Sequence, residues 1–296
     1  MKIGILGPEG TFSETAALLW LKGRRDVNIE NAEINYYETI FDVAESIMRN
    51  EVDCGIVPIE NSLEGSVGET LDLLSGENIE GGMQIVGEVL VPIKICLLSR
   101  GSFAKIRTVV SHSHALAQCK QFIRERLQVK GIKVKSVDST ACAAKLAQEI
   151  DAIAALASEE AAKKYNLNIL AEDVQDQESV TRFVALSSPD IKTAPTGKDK
   201  TSLLLYLKDR PGALYDVLGE FAQRGINLTK IESRPSKRAL GDYMFHIDCE
   251  GHLEDDEIQE VLKAVKRRTD SLKILGSYPM AVSNATTRLH KIYTRK

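Results

Sequence analysis

Apolar positions in the first two thirds of the chain switch between two rhythms. Short apolar runs predict strands at 2–6, 33–37, 54–58, 85–98, 108–111, 133–137, 152–155 and 183–186. Between them, apolar residues recur every three to four positions, which predicts helices at 12–22, 40–49, 115–126, 141–149 and 158–164. Such alternation predicts an α/β fold with a mainly parallel sheet covered on both faces. The long run 85–98 can cross between two lobes, with the second lobe at about 80–165. A cleft between lobes, where strand ends meet helix starts, is the natural binding place.

The rhythm stops at 189–200, PDIKTAPTGKDK, which is polar, carries Pro and Gly, and predicts a linker. A different grammar follows. Strands are expected at 201–208, 227–233, 242–248 and 272–276, helices at 213–223 and 254–267, and a turn at 237–241. That order, βαββαβ, is ferredoxin-like. The organisation expected is therefore a catalytic unit over 1–188, the linker, a small domain over 201–280 and a basic tail over 281–296.

Composition narrows the partners. The chain has 296 residues, 43% of them hydrophobic, and a formal net charge of -4. That balance argues against a nucleic-acid or anionic-membrane surface. No apolar stretch is long enough to span a bilayer and no secretory signal is evident, so a cytoplasmic protein is expected. Five scattered cysteines without a C-x-x-C predict buried thiols, not disulfides or a metal site.

Polar residues cluster at strand ends. GPEGTFSE, Gly7 to Glu14, joins a strand to a helix, and such a turn offers free N–H groups and a positive helix end to an anion. The spacing of Gly4, Gly7 and Gly10 fits neither a dinucleotide fold nor a P-loop. The same residues also fit an ordinary βα turn. PIENSLEGSV, Pro58 to Val67, places Glu60, Asn61 and Ser62 at a strand end. SHSHALAQC offers Ser111 and Gln118, and DSTA offers Ser139 and Thr140. Caps and turns use these residue types too. His112 and His114 lack a third ligand at metal spacing. Arg182, at the start of the last strand of this unit, can fork onto a carboxylate or pair with a nearby acid. Together the residues describe a cleft of hydroxyls, amides and an Arg, suited to a small polar anion.

Taken in order, GPEGTFSE, VPIENSLEGSV, SHSHALAQC, DSTACAA and TRF resemble the prephenate dehydratase family. RPGAL (210–214) and ESRP (232–235) resemble its ACT regulatory domain. The resemblance implies a two-lobed, periplasmic-binding-protein-like catalytic domain followed by a ferredoxin-like ACT domain. It implies conversion of prephenate to phenylpyruvate, with loss of water and carbon dioxide, in phenylalanine synthesis, without cofactor or metal. It assigns Thr181 to the departing hydroxyl, Arg182 to a substrate carboxylate and Phe183 to the site wall. Thr11, with the turn before it, would receive a carboxylate. Asn61, Ser62, Ser111, Gln118, Ser139 and Thr140 would hold substrate. Glu60 beside a dianion would be repulsive unless turned away or protonated. Gly212, Ala213, Leu214, Glu232, Ser233, Arg234 and Pro235 would bind L-phenylalanine, usually across a dimer interface. A homodimer or homotetramer through the ACT and catalytic domains is implied.

Two motifs depart from the family's common pattern. Ser111-His112-Ser113-His114 stands where S-H-P-Q is usual, and Ser179-Val180-Thr181-Arg182-Phe183 stands where N-x-T-R-F is usual. The second change could shift preference toward arogenate. A non-catalytic amino-acid sensor is the competing reading from another class, disfavoured by Thr181. A nucleotide-binding transferase is disfavoured by the missing phosphate motifs.

Overall fold

A computed structural model describes residues 1–24, 31–76, 82–207, 210–235 and 243–281. The chain first builds β1 (Lys2–Leu6), α1 (Phe12–Gly23), β2 (Glu33–Tyr37), α2 (Ile40–Met48), β3 (Cys54–Asn61), β4 (Gly65–Ser66), α3 (Gly68–Ser75) and β5 (Gln84–Ile93). It then crosses into β6 (Cys96–Ser99), β7 (Thr108–Ser111), α4 (Ser113–Gln118), α5 (Lys120–Phe122), β8 (Lys133–Ser136), α6 (Thr140–Glu149), β9 (Ile153–Ala157), α7 (Glu159–Lys164) and β10 (Asn168–Ala171). Strand β11 (Ser179–Ser187) returns to the first sheet. The C-terminal unit is β12 (Asp199–Tyr206), α8 (Ala213–Gln223), β13 (Leu228–Pro235), β14 (Tyr243–Glu250), α9 (Asp256–Lys266) and β15 (Ser271–Pro279). The turn expected at 237–241 and tail residues 282–296 lie outside the described residues.

The described residues form three sheets, ordered β2-β1-β3-β11-β5 with β4 on β3, β10-β6-β9-β7-β8, and β13-β14-β12-β15. The two-lobed class is as expected, but the first two sheets are mixed, not mainly parallel. β1 lies parallel to β2 and β3, whereas β11 runs antiparallel to β3 and β5. Likewise β7 lies parallel to β8 and β9, whereas β6 runs antiparallel to β9 and β10. Side-chain periodicity reports which face is buried and says nothing about strand direction. The run 85–98 is two strands in two sheets, broken by the crossover at Lys94-Ile95. The two crossing segments are tied together, because Ile95 N–H donates to Gln175 Oε1 and Val174 N–H to the Ile95 carbonyl, both at 2.9 Å.

Local sequence explains the helix starts. Thr39 and Asp42 form a reciprocal capping box on α2, and Ser139 and Ser158 cap α6 and α7. The cysteines are free, and burial pushes the Cys54, Cys119 and Cys249 thiols up to about 12.

The C-terminal sheet is covered on both faces. Leu203, Leu205 and Ile247 pack under Val217 and Phe221 of α8 and Val261 of α9. Leu204, Met244, Leu275 and Tyr278 pack on Val57, Ile85, Val184 and Leu186 of the first lobe. Each such side chain contributes on the order of 1.5–3 kcal/mol when fully buried, so the two units share one core. Gly276, at φ 147°, sits so close to β5 that a Cβ there would lie 2.1 Å from the Ile85 carbonyl oxygen.

Candidate active site

Strand β11 sets the site. Thr181 and Phe183 project from one face, and Phe183 is buried in the core shared by the two lobes. Beside them on β3, the Asn61 amide nitrogen donates to Thr181 Oγ1 and to Ser179 Oγ, each at 2.9 Å. The amide orientation is settled by its other end, because Asn61 Oδ1 accepts the Leu63 and Glu64 N–H groups at 2.9 and 3.1 Å. Both amide hydrogens are thus spent on hydroxyl oxygens. The Thr181 oxygen accepts, so its own proton is free for another partner.

Ser62 fastens the same corner, exchanging bonds with the Val180 backbone through its N–H (2.9 Å) and its Oγ (3.0 Å). From the second lobe, Gln118 Nε2 donates to Glu64 Oε1 at 2.8 Å, and His114 Nδ1 meets Glu64 Oε2 at 2.8 Å. Asn61, Ser62, Gln118, Ser179 and Thr181 therefore form one connected set. Glu64 and His114 belong to it as well. Sequence reasoning assigned neither to the site, because the bond that unites them spans two lobes.

Arg182 does not join this set. Neighbouring strand residues point to opposite faces, and its guanidinium is turned into the contact with the C-terminal unit. Nε donates to Glu88 at 2.6 Å, one terminal nitrogen to Asp248 at 2.6 Å and the other to the Tyr278 hydroxyl at 2.8 Å. Lys200 completes the cluster on Glu88, and Ser202 bonds both Asp248 and Tyr278 at 2.6 Å. Burial opposes the Arg182 charge, but Tyr278, Asp248 and Glu88 more than offset it and raise its pKa. The expected fork onto a substrate carboxylate is replaced by an internal one. Glu60, beside Asn61, is turned the same way, with Lys230 at 3.4 Å and Arg182 at 3.7 Å.

Ser111 is also spent internally. It is fully buried and donates to the Leu156 carbonyl at 2.6 Å, joining β7 to β9. Ser139 accepts from the Cys142 N–H as the α6 cap, and Thr140 follows as the first helical residue. In the first turn, Thr11 Oγ1 lies 3.4 Å from the Leu6 carbonyl, and the Gly10 N–H donates to Glu14. Lys164 and Tyr165 of the second lobe reach Glu9 from across the cleft. Among the described residues no group of three or more His, Cys, Asp or Glu is arranged to hold a metal ion.

The ESRP strand is split by its alternation. Glu232 accepts from Ser66 at 3.1 Å and Arg234 donates to Asp72 at 2.7 Å, both on the first lobe. Ser233 and Pro235 are exposed on the opposite side. Gly212, at φ 82°, opens α8, followed by buried Ala213 and half-buried Leu214.

Fold and site together define a two-lobed α/β enzyme module fused to a ferredoxin-like regulatory domain. The sequence profile described as prephenate dehydratase matches residues 3–191, and the ACT domain profile matches residues 201–267. The chain belongs to the prephenate dehydratase family. It is 43% identical to the bifunctional chorismate mutase/prephenate dehydratase of Aquifex aeolicus, over 95% of this chain and 74% of that one. It is 42% identical to the prephenate dehydratase of Methanocaldococcus jannaschii, over 92% and 96% of the two chains. Among solved structures, the prephenate dehydratase of Arthrobacter aurescens in complex with L-Phe superposes with a TM-score of 0.83 at 34% identity, covering 99% and 98%.

Proposed function

We propose that this chain converts prephenate to phenylpyruvate, with Thr181 aimed at the departing hydroxyl. The bond pair joining the ring to its carboxylate becomes ring π density, carbon dioxide leaves, and the C–O pair departs with the hydroxyl, which takes a proton to become water. Aromatisation drives the step, so the protein need only orient the groups and assist the leaving oxygen. A Thr hydroxyl is a very weak acid; its contribution is a hydrogen bond that strengthens as charge builds on that oxygen. The observation that carries this proposal is the Asn61 amide, whose two hydrogens are taken by Ser179 and Thr181 so that the Thr181 proton points elsewhere.

L-Phenylalanine is the proposed effector, bound by the exposed side of the ESRP strand and the start of α8, in a homodimer or homotetramer within the cytoplasm. The effector strand is wired to the catalytic unit. Glu232 and Lys230 both bond Ser66 on β4, and β4 pairs with the end of β3 that carries Glu60 and Asn61. The test is direct. Purified full-length chain is incubated with prephenate in chelator, without added cofactor, and phenylpyruvate is followed. Turnover supports the proposal, and none would leave an amino-acid sensor. Arogenate in the same assay addresses Ser179. L-Phenylalanine with and without Ser233→Ala addresses the effector site.

A further inference from the structure

The geometry points to a carboxylate subsite made by Gln118 and His114, which Glu64 occupies until a substrate carboxylate displaces it. The inference rests on the proposed reaction, whose substrate carries two carboxylates. With Arg182 turned away, the cleft lacks the guanidinium expected to hold one of them. Two groups on α4 instead converge on the two oxygens of a single carboxylate, where Gln118 Nε2 donates to Oε1 and His114 Nδ1 lies against Oε2, each at 2.8 Å. That two-point grip is the geometry a substrate carboxylate needs.

Glu64 is built to leave. It lies in the exposed loop after β3, 54 residues from Gln118 in sequence. Its side chain and that of His114 are 36% and 67% exposed, so solvent screens the pair and can take up the freed carboxylate. Its backbone is nevertheless held by Asn61, because the Glu64 N–H donates to Asn61 Oδ1 at 3.1 Å. The placeholder therefore hangs from the residue that aims Thr181, and the subsite lies one hydrogen-bonded chain away from the reacting hydroxyl.

The experiment is steady-state kinetics with prephenate on the full chain, paired with calorimetric titration by phenylpyruvate. Glu64→Ala removes the competing carboxylate and should lower KM by about two- to fivefold, the range of an exposed ion pair. Gln118→Ala and His114→Ala remove donors to a charged group and should each raise KM by about tenfold. The gain from Glu64→Ala should vanish when Gln118→Ala is also present. Glu64→Ser provides a second small polar replacement should the Ala variant fold poorly. An unchanged or raised KM in both Glu64 variants would overturn the inference while leaving the reaction in place. Phenylpyruvate binding that tightens in Glu64→Ala, in a chain that turns over no prephenate, would keep the subsite and remove the reaction.

Discussion

Asn61 decides what Thr181 can do. Its Oδ1 is anchored on the Leu63 and Glu64 backbone, and its nitrogen faces Ser179 and Thr181. Replacing it with Asp keeps the shape and the anchoring oxygen but removes the donor. Asn61→Asp is therefore expected to lower kcat by about 100-fold, the effect of misplacing a reacting group by ~1 Å. KM should move much less. Equal losses in Asn61→Asp and Asn61→Ala would identify the donor as the essential feature. Wild-type kcat in Asn61→Asp would show that Thr181 needs no positioning.

On the scale of elements, the alternation of β11 separates two jobs that the contiguous TRF motif joins in sequence. Thr181 faces Asn61 and Ser179, Phe183 is buried in the core on the same side, and Arg182 belongs to the contact between units. Arg182→Met is expected to cost about 3–5 kcal/mol in urea unfolding, because Glu88 and Asp248 would be left as poorly compensated buried charges. A variant of full stability with a raised KM would instead place Arg182 on substrate. Gly276→Ala probes the same contact by driving a methyl into the Ile85 carbonyl. It should loosen the C-terminal unit and blunt any response to L-phenylalanine, measured as the inhibition curve. The period-2 rule was available from the sequence and would have set Thr181 and Arg182 apart. What the sequence could not supply was the partner, since Asp248 and Tyr278 come from strands 66 and 96 residues away. Strands such as 2–6 and helices such as 213–223 were legible because their burial pattern is local. The antiparallel return of β11, and the use of the Ser111 hydroxyl on Leu156, depend on tertiary pairing that no local pattern encodes.

Across the whole molecule, the contact between units carries a titratable group. His246 on β14 is buried, and among the described residues its Nε2 has no hydrogen-bond partner. Burial first, then Lys230 and Arg234, lower its pKa from 6.5 to about 4, against the opposing pull of Asp248 and Asp72. The folded chain thus binds fewer protons here than the unfolded chain between about 4 and 6.5. This contribution is fully present above 6.5 and is lost as pH falls toward 4. At pH 5 the loss is about 2 kcal/mol relative to pH 7. Urea unfolding at the two pH values should show it, and His246→Gln should flatten the difference even if it lowers stability at both. Because Lys230 also bonds Ser66, the effector site proposed on β13 and the substrate site proposed near Asn61 draw on one contact. Linkage then requires each ligand to shift the affinity of the other by the same factor.

The central claim is that a single aimed alcohol assists the departure of the ring hydroxyl. It is tested most directly by the single-turnover rate of Thr181→Val with prephenate, in a sample whose circular dichroism and melting match the parent chain. A fall of about 100-fold or more is expected. A rate within a few-fold of the parent would contradict the claim, whatever the remaining residues of the cleft were then found to do.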